Sequence, residues 1–232
     1  MQAIAPALEA VRARIMAACA ASGRAPGAVR LLAVSKRQPL VALAAAVAAG
    51  QRAFGESQVQ EALPKIAALG RSAPGGGPLE WHFIGPVQRN KTRAIAEHFD
   101  WLHSLERADI AARLSAQRPV GQPPLQVCVQ VNISGEASKH GVAPAQAAAL
   151  CRAVAALPGL RLRGLMGIPA PEVDNMRRRE SFRVLSALLA ALNASGLALD
   201  TLSMGMSDDL EAAIAEGSTL VRVGSAIFGE RM

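Results

Sequence analysis

The sequence predicts an α/β fold, a single eight-stranded parallel barrel of the (β/α)8 or TIM type, with an extra helix at the N-terminus. Strand-like and helix-like patterns alternate along the chain, eight strands can be counted, and 232 residues suit one such barrel. An open doubly wound sheet has only about six strands. The one Gly/Pro-rich stretch, Ser72–Pro78, has the length of a loop. We therefore expect one domain over residues 1–232.

The elements follow in order from residue patterns. An amphipathic helix comes first, because Glu9, Arg12 and Arg14 interrupt the apolar N-terminal segment. Short β-rich runs predict the strands Val29–Val34, Arg52–Gly55, Glu80–Ile84, Trp101–Leu105, Leu125–Asn132, Leu160–Met166, Leu199–Met204 and Thr219–Val223. Segments of helical period lie between and after them, at Leu40–Ala49, Ser57–Leu69, Lys91–His98, Ala108–Gln117, Pro144–Leu157, Asn175–Leu192 and Asp208–Glu216.

The composition narrows the class of protein. No uninterrupted apolar run reaches the ~20 residues that a membrane helix requires. The N-terminus also lacks the basic and then apolar order of a signal peptide. Cys19, Cys128 and Cys151 are odd in number and lack the spacing of metal ligands, so idle thiols in a reducing compartment are predicted. We expect a cytoplasmic protein that has no membrane partner and binds no metal.

A net charge of +7 and a pI near 10.3 raise the question of nucleic-acid binding. The sequence has no Tyr, five Phe and two Trp, too few aromatic rings for a base-stacking surface. The main basic cluster, 177–179 with Arg183, falls on a predicted helix, where a solvated face is the simpler explanation. We therefore expect no nucleic-acid partner.

The lysines are the most informative residues. Only four exist, and Lys36 alone directly follows a predicted strand. Alternation places it on one face with Leu32 and Val34, at the end of the barrel where active sites form. Desolvation there would lower the pKa of the amine and favour attack on an aldehyde, although a surface lysine at a strand end is the alternative. The remaining lysines are predicted on an exposed helix face, at a helix start and in a loop: Lys65, Lys91 and Lys139.

Two later strand ends could bind a phosphate group. Strand 7 leads through Ser203 to Ser207, which is predicted to cap the next helix, and strand 8 leads into Gly224 and Ser225. Barrels of this type frequently bind phosphate between these two loops. Ordinary helix capping is the alternative explanation for each.

Arg222 is predicted to point into the barrel, because Val221 and Val223 suit the helix-covered outer face. A buried guanidinium needs an acceptor. A structural carboxylate is one candidate, and a heteroaromatic ring nitrogen is the other. In the second case Arg222 would keep that nitrogen unprotonated, because arginine does not readily release a proton.

The sequence resembles the pyridoxal phosphate homeostasis proteins over essentially its whole length. The matching blocks are LLAVSK (31–36), FGESQVQEALPKI (54–66), WHFIGPVQRNKTRAI (81–95), VNISGEASKHG (131–141), GLMGIPAP (164–171) and LSMGMSDDLEAAIAEGSTLVRVGSAIFG (202–229). The resemblance implies a fold like the N-terminal domain of bacterial alanine racemase and pyridoxal 5′-phosphate (PLP) held as a Schiff base on Lys36. It places Arg222 at the pyridine nitrogen, and Ser207, Gly224 and Ser225 at the phosphate.

Further cofactor-binding candidates lie at other strand ends: Ser203, Met166 and Ser57. Ser57 departs from the resemblance, since the family usually reads FGEN where this chain has FGES. A serine is shorter and lacks the amide donor, so its role at the cofactor becomes uncertain. His82 is predicted to be a packed strand histidine without a chemical role.

The resemblance implies a protein that stores PLP and delivers it to apoenzymes, with little or no catalysis of its own. No apolar stripe typical of an oligomer interface is evident in the sequence, so we expect a monomer. An amino-acid racemase is the alternative, but it needs a second base, classically Tyr, and the sequence contains none. An aldolase-type barrel also forms Schiff bases, but its lysine usually lies on a middle or later strand.

Overall fold

The eight strands pair in sequence order and close into a barrel in the computed structural model, which describes residues 3–72, 76–136, 139–170 and 174–229. The strands are β1 (Arg30–Val34), β2 (Ala53–Glu56), β3 (Glu80–Phe83), β4 (Trp101–Leu105), β5 (Leu125–Val131), β6 (Leu160–Gly167), β7 (Thr201–Ser203) and β8 (Leu220–Val223). The predicted (β/α)8 fold is confirmed. In the predicted loop Ser72–Pro78, residues 73–75 lie outside the described residues.

Helices follow the strands and cover the outside of the barrel. Their bounds are α1 (Ile4–Ala21), α2 (Leu40–Ala48), α3 (Val59–Leu69), α4 (Thr92–His98), α5 (Ala108–Gln117), α6 (Pro144–Ala155), α7 (Asn175–Ala194), α8 (Leu210–Ala215) and α9 (Ser225–Phe228), with a 3-10 turn at Arg89–Lys91. Across the described ranges, no helix is both long and apolar enough to cross a bilayer.

The seam of the barrel lies between its first and last strands. β1 pairs in parallel with β2 on one side and with β8 on the other, and Leu32 lies opposite Arg222. The ends of β1 and β8 are therefore neighbours, although they are far apart in sequence. This closure brings the residues after β1 beside those after β8.

Alternation along the strands separates two layers of side chains. The main hydrophobic core lies between strands and helices and includes Ala33, Phe54 and Trp81. Inside the barrel, Leu32 packs in a small cluster with buried residues of β2 and β8, and a second cluster joins Trp101, Cys128 and Met166. The interior also holds buried polar side chains, and these form the site described below: His82, His103, Ser203 and Arg222.

The extra N-terminal helix is confirmed. Helix α1 buries Leu8, Val11 and Ile15 and contacts α8 and α9, the two helices that follow β7 and β8. Arg14 extends from α1 and donates to two partners on the loop and helix after β7, the Ser207 carbonyl at 2.9 Å and the Glu211 carboxylate. The helix therefore supports the loops predicted to bind phosphate.

Most predicted elements differ from the structure by one or two residues at an end, and the differences at β7 and α8 bear on the site. Strand β7 comprises only Thr201–Ser203, shorter than predicted. Helix α8 begins at Leu210, and Asp209 precedes it as the N-cap. The Asp209 carboxylate accepts the backbone N–H of Met206 at 2.5 Å, which fixes this turn. The prediction that Ser207 caps this helix is wrong, so its hydroxyl is available for other contacts.

Candidate functional site

Lys36 lies in the turn that follows β1, at the carboxyl end of the barrel, as predicted. Its side chain is half-buried and lines a cavity of about 610 Å³ together with Ser57, Gly85, Gln88 and Lys91. The next residue, Arg37, has a φ of +60°, an uncommon conformation for a residue with a side chain. The turn that presents Lys36 is thus a defined, sharply bent structure.

A buried ionic cluster fixes this turn from behind. The Lys65 ammonium on α3 donates to the Ser35 carbonyl at 2.8 Å, to Glu56 at 2.8 Å and to Glu61 at 2.6 Å. Glu61 also accepts the backbone N–H of Arg37. The residues on both sides of Lys36 are therefore held by the same cluster.

Lys65 itself is only 7% exposed, so the prediction of an exposed helix residue is wrong. Burial raises the pKa of its partner Glu56, and hydrogen bonds from Lys65 and Ser35 oppose that rise. One Glu56 oxygen, Oε2, has no hydrogen-bond partner within the described part of the chain. A sequence signal existed, because Lys65 follows Ala62 by three residues, a spacing that puts the two on one face of the helix, and Ala62 is buried.

The junctions after β7 and β8 bring two hydroxyl groups together. Ser225 Oγ lies 3.0 Å from Ser207 Oγ, which also accepts the Ala226 backbone N–H at 3.4 Å. Gly224 lies against β1, since a Cβ atom there would lie 3.3 Å from the Val34 carbonyl oxygen. The two serines thus converge beside the strand that carries Lys36, although neither is among the residues that line its cavity.

Arg222 points into the barrel, as predicted, and is 5% exposed. Its guanidinium donates to the Ser203 carbonyl at 2.5 Å, to Ser203 Oγ at 2.8 Å and to the Gly167 carbonyl at 3.1 Å. None of these three acceptors is a carboxylate. The contacts therefore do not support the alternative that a structural carboxylate pairs with Arg222. Burial lowers the pKa of Arg222 to about 10, which leaves it protonated at neutral pH.

Two histidines extend this arrangement across the barrel interior. His103 Nδ1 lies 2.8 Å from Ser203 Oγ, and His103 Nε2 lies 2.9 Å from His82 Nδ1. The His82 ring stacks on Trp101 with centroids 5.3 Å apart. His82 is packed in the interior, as predicted, but it is also part of a polar chain. Sequence reasoning missed His103, although alternation with the inward-facing Trp101 would have placed it inside.

The remaining predicted site residues fall into two places. Ser57 lines the Lys36 cavity, and a Cβ atom at Gly85 would overlap its carbonyl oxygen, so this wall requires glycine. Met166 is buried inside the barrel with Trp101 and Cys128 and is not among the residues that line the cavity. Lys139 lies exposed in the loop after β5, as predicted.

No group of three metal-ligating side chains occurs among the residues that the structure describes. The three cysteines are free and buried. Burial raises the pKa of the Cys128 thiol to about 12 and that of Cys151 to about 11, so both are inert thiols at neutral pH.

Comparison with known proteins agrees with this geometry. The family model for the alanine racemase N-terminal domain matches residues 7–232. The pyridoxal phosphate homeostasis protein of Pseudomonas aeruginosa is 58% identical over 231 residues, covering 100% of this chain and 97% of that protein. The chain belongs to the family of pyridoxal phosphate homeostasis proteins.

Other members are similar over comparable lengths. The pyridoxal phosphate homeostasis protein of Escherichia coli K12 is 53% identical, covering 100% of this chain and 98% of its own. The structure of PipY from Synechococcus elongatus with PLP bound has a TM-score of 0.83 and 35% identity, covering 97% of this chain and 100% of PipY. The resemblance of the sequence to this homeostasis family is thereby confirmed.

Proposed function

We propose that this chain binds PLP through Lys36 and serves as an intracellular PLP store that supplies apoenzymes. The observation that carries the proposal is the position of Lys36, half-buried at a strand end in a 610 Å³ cavity beside the seam with β8. Arg222 and the paired serines lie across that seam. PLP bound to PipY and the names of the homeostasis relatives support the same cofactor.

The residues present fit this cofactor. PLP supplies an aldehyde that condenses with an amine, forming one C=N bond and releasing one water without an oxidant. Lys36 would provide that amine. Arg222, protonated and buried, would donate a hydrogen bond to the pyridine nitrogen and leave it unprotonated. Ser207 and Ser225, with Gly224, would hold the phosphate.

Storage fits these residues better than amino-acid turnover. Racemisation requires a proton acceptor on each face of the cofactor, and the sequence contains no Tyr. The thiol pKa of Cys128, about 12, is too high for that role. The rings of His82 and His103 are hydrogen-bonded to each other inside the barrel. We therefore propose that Lys36 and Arg222 retain and release PLP without catalysing a reaction of amino acids.

Borohydride reduction followed by peptide mass spectrometry tests the site. We expect a reduced PLP adduct on the peptide that contains Lys36, and none in Lys36→Ala. Lys91→Ala is the matched control, because Lys91 lines the same cavity. It should keep both the adduct and the visible absorbance of the bound cofactor. An adduct on another lysine, or no adduct in the native protein, would refute the proposal.

The proposal includes a cytoplasmic monomer that passes PLP to apoenzymes. Three free thiols fit a reducing compartment. Loaded protein, mixed with an apo PLP enzyme while free PLP is scavenged, should restore that enzyme's activity. Lys36→Ala treated in the same way should not. Activity that appears equally with both proteins would exclude delivery by this chain.

A further inference from the structure

A continuous row of polar contacts crosses the interior of the barrel. It starts at Arg222, at the end where Lys36 lies, and reaches Glu80 at the first residue of β3. The contacts join Arg222 to Ser203 at 2.8 Å, Ser203 to His103 at 2.8 Å, His103 to His82 at 2.9 Å, and His82 to Glu80 at 3.5 Å. The three middle residues are fully buried.

We propose that Ser203, His103 and His82 form a directed hydrogen-bond relay that orients the Arg222 guanidinium, and that the Glu80 carboxylate, 3.5 Å from His82 Nε2, sets its direction through its charge. The relay residues are positioning residues, since they act on the cofactor only through Arg222. The inference rests on the proposed function for one point, that Arg222 faces the pyridine nitrogen of PLP. The relay itself belongs to the protein without cofactor.

The direction of the relay follows from the donors and acceptors. A guanidinium only donates, so Ser203 Oγ accepts from Arg222 and its own hydrogen can point to His103 Nδ1. With Nδ1 as acceptor, a neutral His103 carries its proton on Nε2 and donates to His82 Nδ1. His82 then also carries its proton on Nε2, directed at Glu80.

Hydrogen-bond donation in the opposite direction, from His82 towards Ser203, is unfavourable at the Glu80 end of the row. If His82 donated through Nδ1, the lone pair of Nε2 would face the Glu80 carboxylate 3.5 Å away. Among the described residues, that Nε2 has no hydrogen-bond partner, so nothing else would compensate the repulsion. The Ser203 hydroxyl hydrogen would also lose His103 as its acceptor. The carboxylate therefore selects one tautomer for both rings.

The charges at the two ends support this direction. Burial lowers the pKa of both His82 and His103, so both rings are neutral at pH 7. The imidazole of His82 and the guanidinium of Arg30 lower the pKa of Glu80 to about 2, which keeps it ionised. A cation at one end and an anion at the other polarise the neutral groups between them. Glu80 can thus act on Arg222 without touching it.

This arrangement explains how Arg222 is held without a contacting carboxylate. Its Nη1 is bound to Ser203 and its Nη2 to Gly167, so the guanidinium plane is fixed. A direct carboxylate would occupy two donors. The relay supplies a distant negative charge instead. Removing His103 should free the Ser203 hydroxyl to rotate and weaken the orientation of Arg222.

Histidine 15N NMR of the cofactor-free protein tests the relay independently of PLP. The chain has four histidines, and His82→Gln and His103→Gln assign the two buried signals. We expect both rings to be neutral at pH 7, with the proton on Nε2. Glu80→Gln should introduce the second tautomer, because the selecting charge is gone. A charged ring, or Nδ1 protonation of His103 in the native protein, would overturn the relay.

A second measurement tests its effect on Arg222. In loaded protein, His103→Leu should accelerate PLP loss about tenfold, the order expected for a misplaced hydrogen bond to a charged group. His103→Gln, which retains polar atoms, should recover part of that loss. Cys128→Ala is the control, since it truncates another buried interior side chain outside the relay. Equal PLP loss from His103→Leu and Cys128→Ala would refute the positioning role.

The two failures are distinguishable. If native protein carries no PLP on Lys36, the proposed function fails, while the NMR result still decides the relay. If PLP is on Lys36 and the tautomers are reversed, the relay fails alone.

Discussion

At the scale of single residues, the ionic cluster behind Lys36 carries the largest energetic consequence. Lys65 and Glu56 are both buried and form an ion pair, and Lys65 also pairs with the less buried Glu61. Taking two charges out of water is costly, and the attraction offsets that cost only while both partners remain. Removing one should therefore destabilise the fold far more than an exposed pair would.

We expect Lys65→Met to lower the free energy of unfolding by about 3–5 kcal/mol, because it leaves Glu56 buried without its cation. The double variant Lys65→Met, Glu56→Gln should recover most of this loss, since no unpaired charge remains. Urea unfolding measures both. Lys91→Met is the control on a half-buried lysine, with an expected change below about 1 kcal/mol. A double variant no more stable than Lys65→Met would contradict this explanation.

The cluster around Lys65 also shows which residue positions can be predicted from the sequence and which cannot. Lys36 and Arg222 were found because strand alternation and strand ends fix direction and place. Lys65 was placed on the wrong face because lysine is rarely buried without a partner, and the partner, Glu56, lies on another element. The sequence predicts that the loops carrying Ser207 and Ser225 lie side by side, but it does not fix which side chains in them meet.

At the scale of elements, helix α1 packs on α8 and α9 and bonds to the loop of the proposed phosphate site through Arg14. Arg14 pairs with Glu211 on α8 and donates to the Ser207 carbonyl. The ion pair is exposed, so its own contribution to stability is small. Its position gives it a different role, because it fixes the backbone of the loop that presents the Ser207 hydroxyl.

We expect Arg14→Ala to change the free energy of unfolding by less than about 1 kcal/mol and to accelerate PLP loss about two- to fivefold. Arg107→Ala is the matched control, since Arg107 and Asp109 form an exposed pair far along the chain. It should change neither quantity. Thermal unfolding and PLP loss on dialysis measure the two effects. Equal PLP loss from both variants would show that α1 does not support the loop.

Element types were predictable and some element ends were not. All eight strands and the helices between them were identified, because their periodicities differ clearly. The start of α8 was misplaced by two residues because Ser207 and Asp209 are both good N-cap residues. The structure uses Asp209, whose carboxylate also reaches the Met206 N–H. Two equivalent local signals cannot be ranked without the surrounding packing.

At the scale of the whole molecule, His82, His103 and Glu80 contribute to the response to acid in one direction, and the raised pKa of Glu56 acts in the other. Burial lowers the pKa of His82 and His103 below the ordinary 6.5, and Glu80 falls from 4.5 to about 2. Arg30 opposes protonation of both rings, whereas the carboxylates of Glu80 and Asp100 favour it at His82. In all three cases the unfolded chain binds protons more readily than the folded one. The folded state is therefore favoured at higher pH.

The pH windows follow from the ordinary pKa values. Between pH 7 and 9 the free energy of unfolding should not change through these groups. Below about pH 6.5 the unfolded chain protonates its histidines first, and each buried histidine should cost at most about 1.4 kcal/mol per pH unit, until the pH reaches the lowered pKa of that ring in the folded protein. Below about pH 4.5, protonation of Glu80 in the unfolded chain adds a further loss of stability that continues towards pH 2.

Urea unfolding at a series of pH values should show, for His103→Gln, a shallower dependence of the free energy of unfolding on pH between pH 6.5 and 5. Glu80→Gln should lose the further slope below about pH 4.5, and the slope from His82 should extend to lower pH, because the Glu80 carboxylate favours protonation of that ring. If His103→Gln and the native protein show the same slope, the buried His103 ring takes up its proton without unfolding. That result would exclude a folded state that keeps this ring neutral.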